Sequence, residues 1–89
     1  MTEPRSIVSH HYGEYGHVKV KLAELLKSRG VTRNRLRTLT DVNYDAITRY
    51  YKGEIERADL DFLAKVCYAL DCKVEDILEY EAPEETTEQ

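Results

Sequence analysis

Residues 32–53 read TRNRLRTLTDVNYDAITRYYKG, and the punctuation of this stretch decides the fold. Leu36 and Leu39 set an apolar side at i, i+3, which predicts a short helix over about 33–39 behind a Thr32 cap. Ala46, Ile47 and Tyr50 do the same at i, i+1, i+4 for a second helix over about 44–52. Asp41, between them, is one of the few non-glycine residues that tolerate a left-handed turn, and Val42 is placed to plug the angle between the helices. Asn43 is a strong N-cap, Asp45 suits the positive end of the helix dipole, and Gly53 supplies the stop. The other side of the second helix carries Tyr44, Asp45, Thr48, Arg49 and Lys52, nearly all able to hydrogen-bond. A short helix with one apolar and one hydrogen-bonding face, set across a tight turn from another, has the chemistry needed to read base edges in the DNA major groove.

The net charge of −4 points the other way until its distribution is considered. Residues 19–57 hold ten Lys and Arg against five acids, whereas residues 58–89 hold two Lys against ten acids. The basic block coincides with the two-helix stretch. That asymmetry predicts a polyanion partner for one part of the chain and a solvating segment in the other.

Outward from the centre, residues 17–22 alternate polar and apolar, which is strand periodicity, before Leu22, Leu25, Leu26 and Arg29 take up helical spacing closed by Gly30. The reading is a short strand followed by a helix over about 21–29, with one longer helix from residue 17 as the competing reading. Asp59 caps a helix over about 60–70 whose Leu60, Leu63, Ala64, Cys67 and Leu70 are expected to form one apolar stripe. After a turn at Asp71, Cys72 and Lys73, a fifth short helix covers about 74–78. Residues 1–16 read as a flexible arm, residues 17–80 as the folded domain, and residues 81–89 as an acidic disordered tail. The expected fold is all-α, a compact five-helix domain with a small strand added. The tail is expected to compete electrostatically with phosphates for the basic block.

Several function classes are disfavoured by the residues themselves. No apolar run approaches the ~18 residues that span a bilayer, and the N-terminus lacks the basic and apolar regions of a secretory signal, so a cytoplasmic location is expected. Cys67 and Cys72 make no disulfide framework and read as free thiols, Cys67 as a small buried hydrophobe. His10, His11 and His17 stand without Cys or carboxylate at ligand spacing, so no metal site is expected. No Ser/His/Asp or Cys/His pairing at usable spacing and no phosphate loop is present, so the chain is read as not an enzyme and without a cofactor or small-molecule ligand.

The order and spacing of four motifs carry a family resemblance. They are L-x-x-L-L-K-S-R-G-V-T in the first helix and its exit, R-L-R-x-L-T-D-V in the second helix and turn, A-I-x-R-Y-Y-K-G-E in the third helix, and L-x-x-L-A-K-V-C-Y-A-L-D-C-x-V-E-D-I-L in the last two. Over residues 18–80 the chain resembles the Cro and lambda-repressor (XRE-type) helix-turn-helix regulators, in particular a small stand-alone branch whose second half is similar to this one with its D-I-L-E-Y ending. The resemblance implies that Thr32 and Arg33 hold a phosphate. It further implies that Asn43, Tyr44, Asp45 and Arg49 meet base edges or flanking phosphate, and that Lys52 and the loop after Gly53 add backbone contacts. Departures are Arg37 where a small Ala is usual, Asp41 in place of a turn Gly, and Leu26 with Tyr51 where many members pair an Arg with a Glu.

The function implied is a sequence-specific DNA-binding transcriptional regulator. The alternative is a helix-turn-helix scaffold used to bind protein, such as the antitoxin half of a pair. A homodimer on double-stranded DNA is expected, because one small domain reads few base pairs and half-sites lie ~34–36 Å apart. The alternating residues 18–22 and the apolar Ile77, Leu78 and Tyr80 are expected to pair as strands, within one chain or across two.

Overall fold

The computed structural model describes Pro4 and residues 15–83. Almost all of the expected arm and residues 84–89 of the expected tail therefore lie outside the described residues. The elements run β1 (His17–Val20), α1 (Leu22–Arg29), α2 (Arg33–Thr40), α3 (Tyr44–Lys52), α4 (Leu60–Leu70), α5 (Val74–Ile77) and β2 (Leu78–Glu81).

Each helix end follows from a residue that satisfies orphan backbone groups. Thr32 Oγ1 accepts from Arg35 N at 3.0 Å to start α2, and Asp59 accepts from Asp61 N at 2.9 Å to start α4. Asn43 Oδ1 accepts from Asp45 N at 2.7 Å and Ala46 N at 3.4 Å, opening α3. Asp41 ends α2 at φ 57° with its N–H on the Arg37 carbonyl. At the far end of α3, Gly53 takes φ 76°, and Gly53 N and Glu54 N close a Schellman motif on Tyr50 O and Arg49 O. Asp71 ends α4 in the same left-handed conformation, and Arg29 Nη1 reaches across from α1 to the Leu70 carbonyl.

The core is built from Leu22, Leu25 and Leu26 of α1, Leu36 of α2, Ile47 and Tyr50 of α3, Phe62, Leu63, Val66 and Leu70 of α4, and Ile77. Two sequence expectations are corrected. Leu39 is 42% exposed, and Thr40 is the residue buried beside Leu36, its hydroxyl returned to the Leu36 carbonyl. On α4 the inward stripe is Phe62, Leu63, Val66 and Leu70, while Leu60 is 79% exposed, Ala64 is exposed and Cys67 is half-buried. That helix is apolar nearly all round, so several stripes satisfy helical spacing and only the packing selects one.

The strand at 17–20 finds its partner inside the chain. β1 and β2 pair antiparallel, with Val18 opposite Tyr80 and Val20 opposite Leu78. Leu78 adopts φ −124°, ψ 144°, so α5 stops one residue before the expected end and the chain runs on extended through Glu81. Gly16, at φ 82°, precedes β1 where a Cβ would run into the Glu81 carbonyl. Polar contacts fasten this end: His17 Nε2 meets Glu81 Oε1 at 3.0 Å, and ion pairs join Lys21 to Glu79 at 3.5 Å and Lys19 to Glu24 at 3.6 Å.

The corrected core predicts opposite outcomes for two apolar truncations. Ile47→Ala, at 0% exposure, should cost ~2–5 kcal/mol in urea unfolding. Leu39→Ala, measured in dilute solution where the chain is monomeric, should stay within about 0.5 kcal/mol of wild type.

Candidate nucleic-acid interface

At about 100° per residue, α3 presents three faces. Ala46, Ile47 and Tyr50 point inward, where the Tyr50 ring stacks on Phe62 at 4.0 Å between centroids and 21° between planes. Asp45, Arg49 and Lys52, spaced i, i+4, i+7, form an exposed polar stripe. Tyr44, Thr48 and Tyr51 form a third face with the same spacing, and it is occupied.

Its occupant is Arg33. The guanidinium lies 4.5 Å from the Tyr51 ring centroid and 5.5 Å from that of Tyr44, and Nη1 donates to Thr48 Oγ1 at 3.2 Å. One half-buried arginine from the first turn of α2 thus grips α3 along two turns. A planar cation suits this seat because it can stack on aromatic faces and still donate in its plane. Tyr51 packs on the core and lines one hollow with Leu26 and Arg33. The expected apolar contact at Leu26 and Tyr51 is therefore supplemented by a cation on the ring. Tyr51 was not among the expected site residues, although its i+7 relation to Tyr44 was visible in the sequence.

The other expected residues fall as follows. Thr32 and Asn43 are exposed, and each uses its side-chain oxygen to cap a helix. Asp45 sits in the first turn of α3, where its charge meets the helix dipole. Arg37 is exposed and donates through Nε to Asn34 Oδ1 at 3.2 Å, so its long side chain is accommodated by leaving the helix crossing. Beyond Gly53, an open groove is floored by Tyr50 and Phe62 and rimmed by Arg49, Arg57 and Lys65 together with Glu54, Glu56, Asp59 and Asp61. That mixed rim is less suited to phosphate than the α2–α3 surface.

Charge pairing separates the two ends of the molecule. Among the described residues, the ion pairs involve Lys19, Lys21 and Lys65, and His17 contacts Glu81. Arg33, Arg35, Arg37, Arg49 and Lys52 have no carboxylate within ion-pair distance among the described residues, so the helix-turn-helix presents five cations that no described acid pairs with. The described residues contain no group of three or more His, Cys, Asp or Glu that could hold a metal. Cys67 and Cys72 are free. Burial, reinforced by the neighbouring Cys67, pushes the Cys72 thiol up to about 11, away from the thiolate that nucleophilic or ligating chemistry needs.

Two short helices across a left-handed Asp turn, a capped second helix and an uncompensated basic surface define a helix-turn-helix DNA-binding domain. A family model for the Cro/C1-type HTH DNA-binding domain matches residues 21–83, and the chain belongs to that family. Comparison with curated proteins and with solved structures finds no match. No helix among the described residues is long and apolar enough to cross a membrane.

If Arg33 braces α3, Arg33→Ala should lower stability by ~0.5–2 kcal/mol and shift the ring resonances of Tyr44 and Tyr51, with Arg33→Lys recovering only part of the loss. Unchanged ring resonances in Arg33→Ala would remove this role.

Proposed function

We propose that this chain is a sequence-specific transcriptional regulator that binds double-stranded DNA as a homodimer and inserts α3 into the major groove. The observation that carries the reading is the set of five cations gathered on α2 and α3 of a Cro/C1-type domain, none of them ion-paired among the described residues. Non-specific affinity for DNA comes from releasing counterions from phosphates, and cations already neutralised by the protein's own acids contribute less to it.

Within that reading, Arg49 presents its fork to guanine O6 and N7 from the exposed stripe of α3. Asp45, one turn earlier, compensates the dipole and accepts from cytosine N4. Thr32, Arg33 and Arg35 at the start of α2 hold a phosphate, with Arg33 doing so from its seat on Tyr51. Asn43, Tyr44 and Thr48 border the groove wall, and Lys52 contacts the backbone at the far end of the helix. No covalent chemistry is required of any of these groups, so the role is non-enzymatic and needs no cofactor; it places the protein with the DNA in the cytoplasm. The basic surface also favours this reading over a purely protein-binding antitoxin role.

Selection of bound sequences from a random duplex pool tests the proposal, since a regulator of this kind must enrich a defined motif. On the selected site Arg49→Ala should cost ~1–3 kcal/mol and relax choice at one base pair. Lys52→Ala should weaken selected and random duplex alike, lowering the salt slope by about one unit. Failure to enrich any motif, with the chain folded, would sink the reading.

A further inference from the structure

The two strands available for subunit pairing are used within the chain, and a different apolar surface is left uncovered by the described residues. Leu60, Ala64 and Tyr68 run at i, i+4, i+8 along the outside of α4, with Leu60 79% and Tyr68 91% exposed. Leu39 of α2, 42% exposed, stands beside them. Leu39, Thr40, Ala64, Lys65, Tyr68 and Ala69 line a shallow hollow at the middle and end of this row. The surface therefore bears a projecting leucine at one end and a hollow further along.

We propose that this surface docks on a second copy of the same chain, α4 crossing α4 antiparallel about a two-fold axis at Ala64. Such an axis sets residue 60 of each copy opposite residue 68 of the other, so each exposed Leu60 enters the hollow beside Tyr68. Self-complementarity of this kind closes a dimer and leaves no open end. Rows at i±4 spacing are also the ridges by which helices most often interdigitate, with axes ~8–10 Å apart, and a small Ala at the crossing permits the closer approach. Charge completes the match. Asp61 and Lys65 form a 3.2 Å ion pair along one flank of the row. About an axis at Ala64 this flank reads Asp61, Lys65, Lys65, Asp61 across the two copies, so each lysine near the axis has an aspartate on its outer side and the flank carries no net charge.

Asp61 and Lys65 also rim the groove shared with Arg49, so the interface flank runs up to the helix proposed to read DNA. The proposal deepens the homodimer reading by naming its surface, and it is tested without DNA.

Sedimentation equilibrium of the full chain should show a dimer for wild type and at least about tenfold weaker association for Leu60→Lys and for Tyr68→Glu, with circular-dichroism melts confirming that each folds. Mixing the two variants should restore association, because one contact then pairs Lys with Glu while the other keeps Leu with Tyr. Val18→Lys, on the exposed sheet, should dimerise as wild type does. A monomeric wild type, dimers unaffected by the two α4 changes, no recovery on mixing, or dissociation by Val18→Lys would each overturn the proposal. Loss of sequence selection with the dimer intact would count against the DNA reading alone.

Discussion

Tyr50 fixes where α3 can point. Its ring is 4% exposed and stacked on Phe62, while its hydroxyl accepts from Asp59 N at 2.8 Å, the residue that caps α4. A single side chain thus joins the middle of α3 to the start of α4, with an apolar contact and a hydrogen bond. The stack takes aromatic area out of water and the bond leaves no polar atom of Tyr50 unsatisfied, so both parts favour one orientation. Ile47, fully buried one turn earlier, removes the remaining rotational freedom. With α3 so held, its two polar faces have only two places to go, toward Arg33 and toward solvent.

The same rigidity gives Arg33 its meaning. An arginine at a helix start is ordinarily a mobile phosphate ligand whose ordering on binding costs entropy. Here it is already seated on Tyr51 and Thr48, so its charge is presented to a phosphate from a fixed position. Under the proposed function, that preorganisation ties backbone contact to the placement of the helix that meets the bases. Two of the described acids are held at the small sheet rather than on this surface. Glu79 and Glu81 are engaged with Lys21 and His17 across the small sheet, on the element that joins the two ends of the described fold.

Much of this was legible from residue order. Thr32, Asn43 and Asp59 cap because their short side-chain oxygens reach the next backbone N–H groups, and Asp41 turns because it tolerates positive φ. These interactions are local, so the helix boundaries at 33, 44, 52, 60 and 70 could be placed within a residue. Arg37 shows the same legibility at longer reach: a side chain too large for a helix crossing must leave it, and it does.

Choices among equivalent faces were not legible. Leu39 and Thr40 exchange their expected surroundings, and α4 turns Phe62 and Val66 inward in place of Leu60 and Ala64, because each alternative has helical periodicity and only contacts distant in sequence distinguish them. Arg33 presents the same problem, since nothing local to residue 33 reports that Tyr44, Thr48 and Tyr51 form its seat. Whether the strands paired within or between chains depended on where α5 released Leu78 relative to Val20. The sequence by itself determined the elements, their caps and the segregation of charge, all set by interactions within a few residues. The tertiary structure alone decided which apolar side is core and which polar groups meet, because those are settled by packing between segments far apart in the chain.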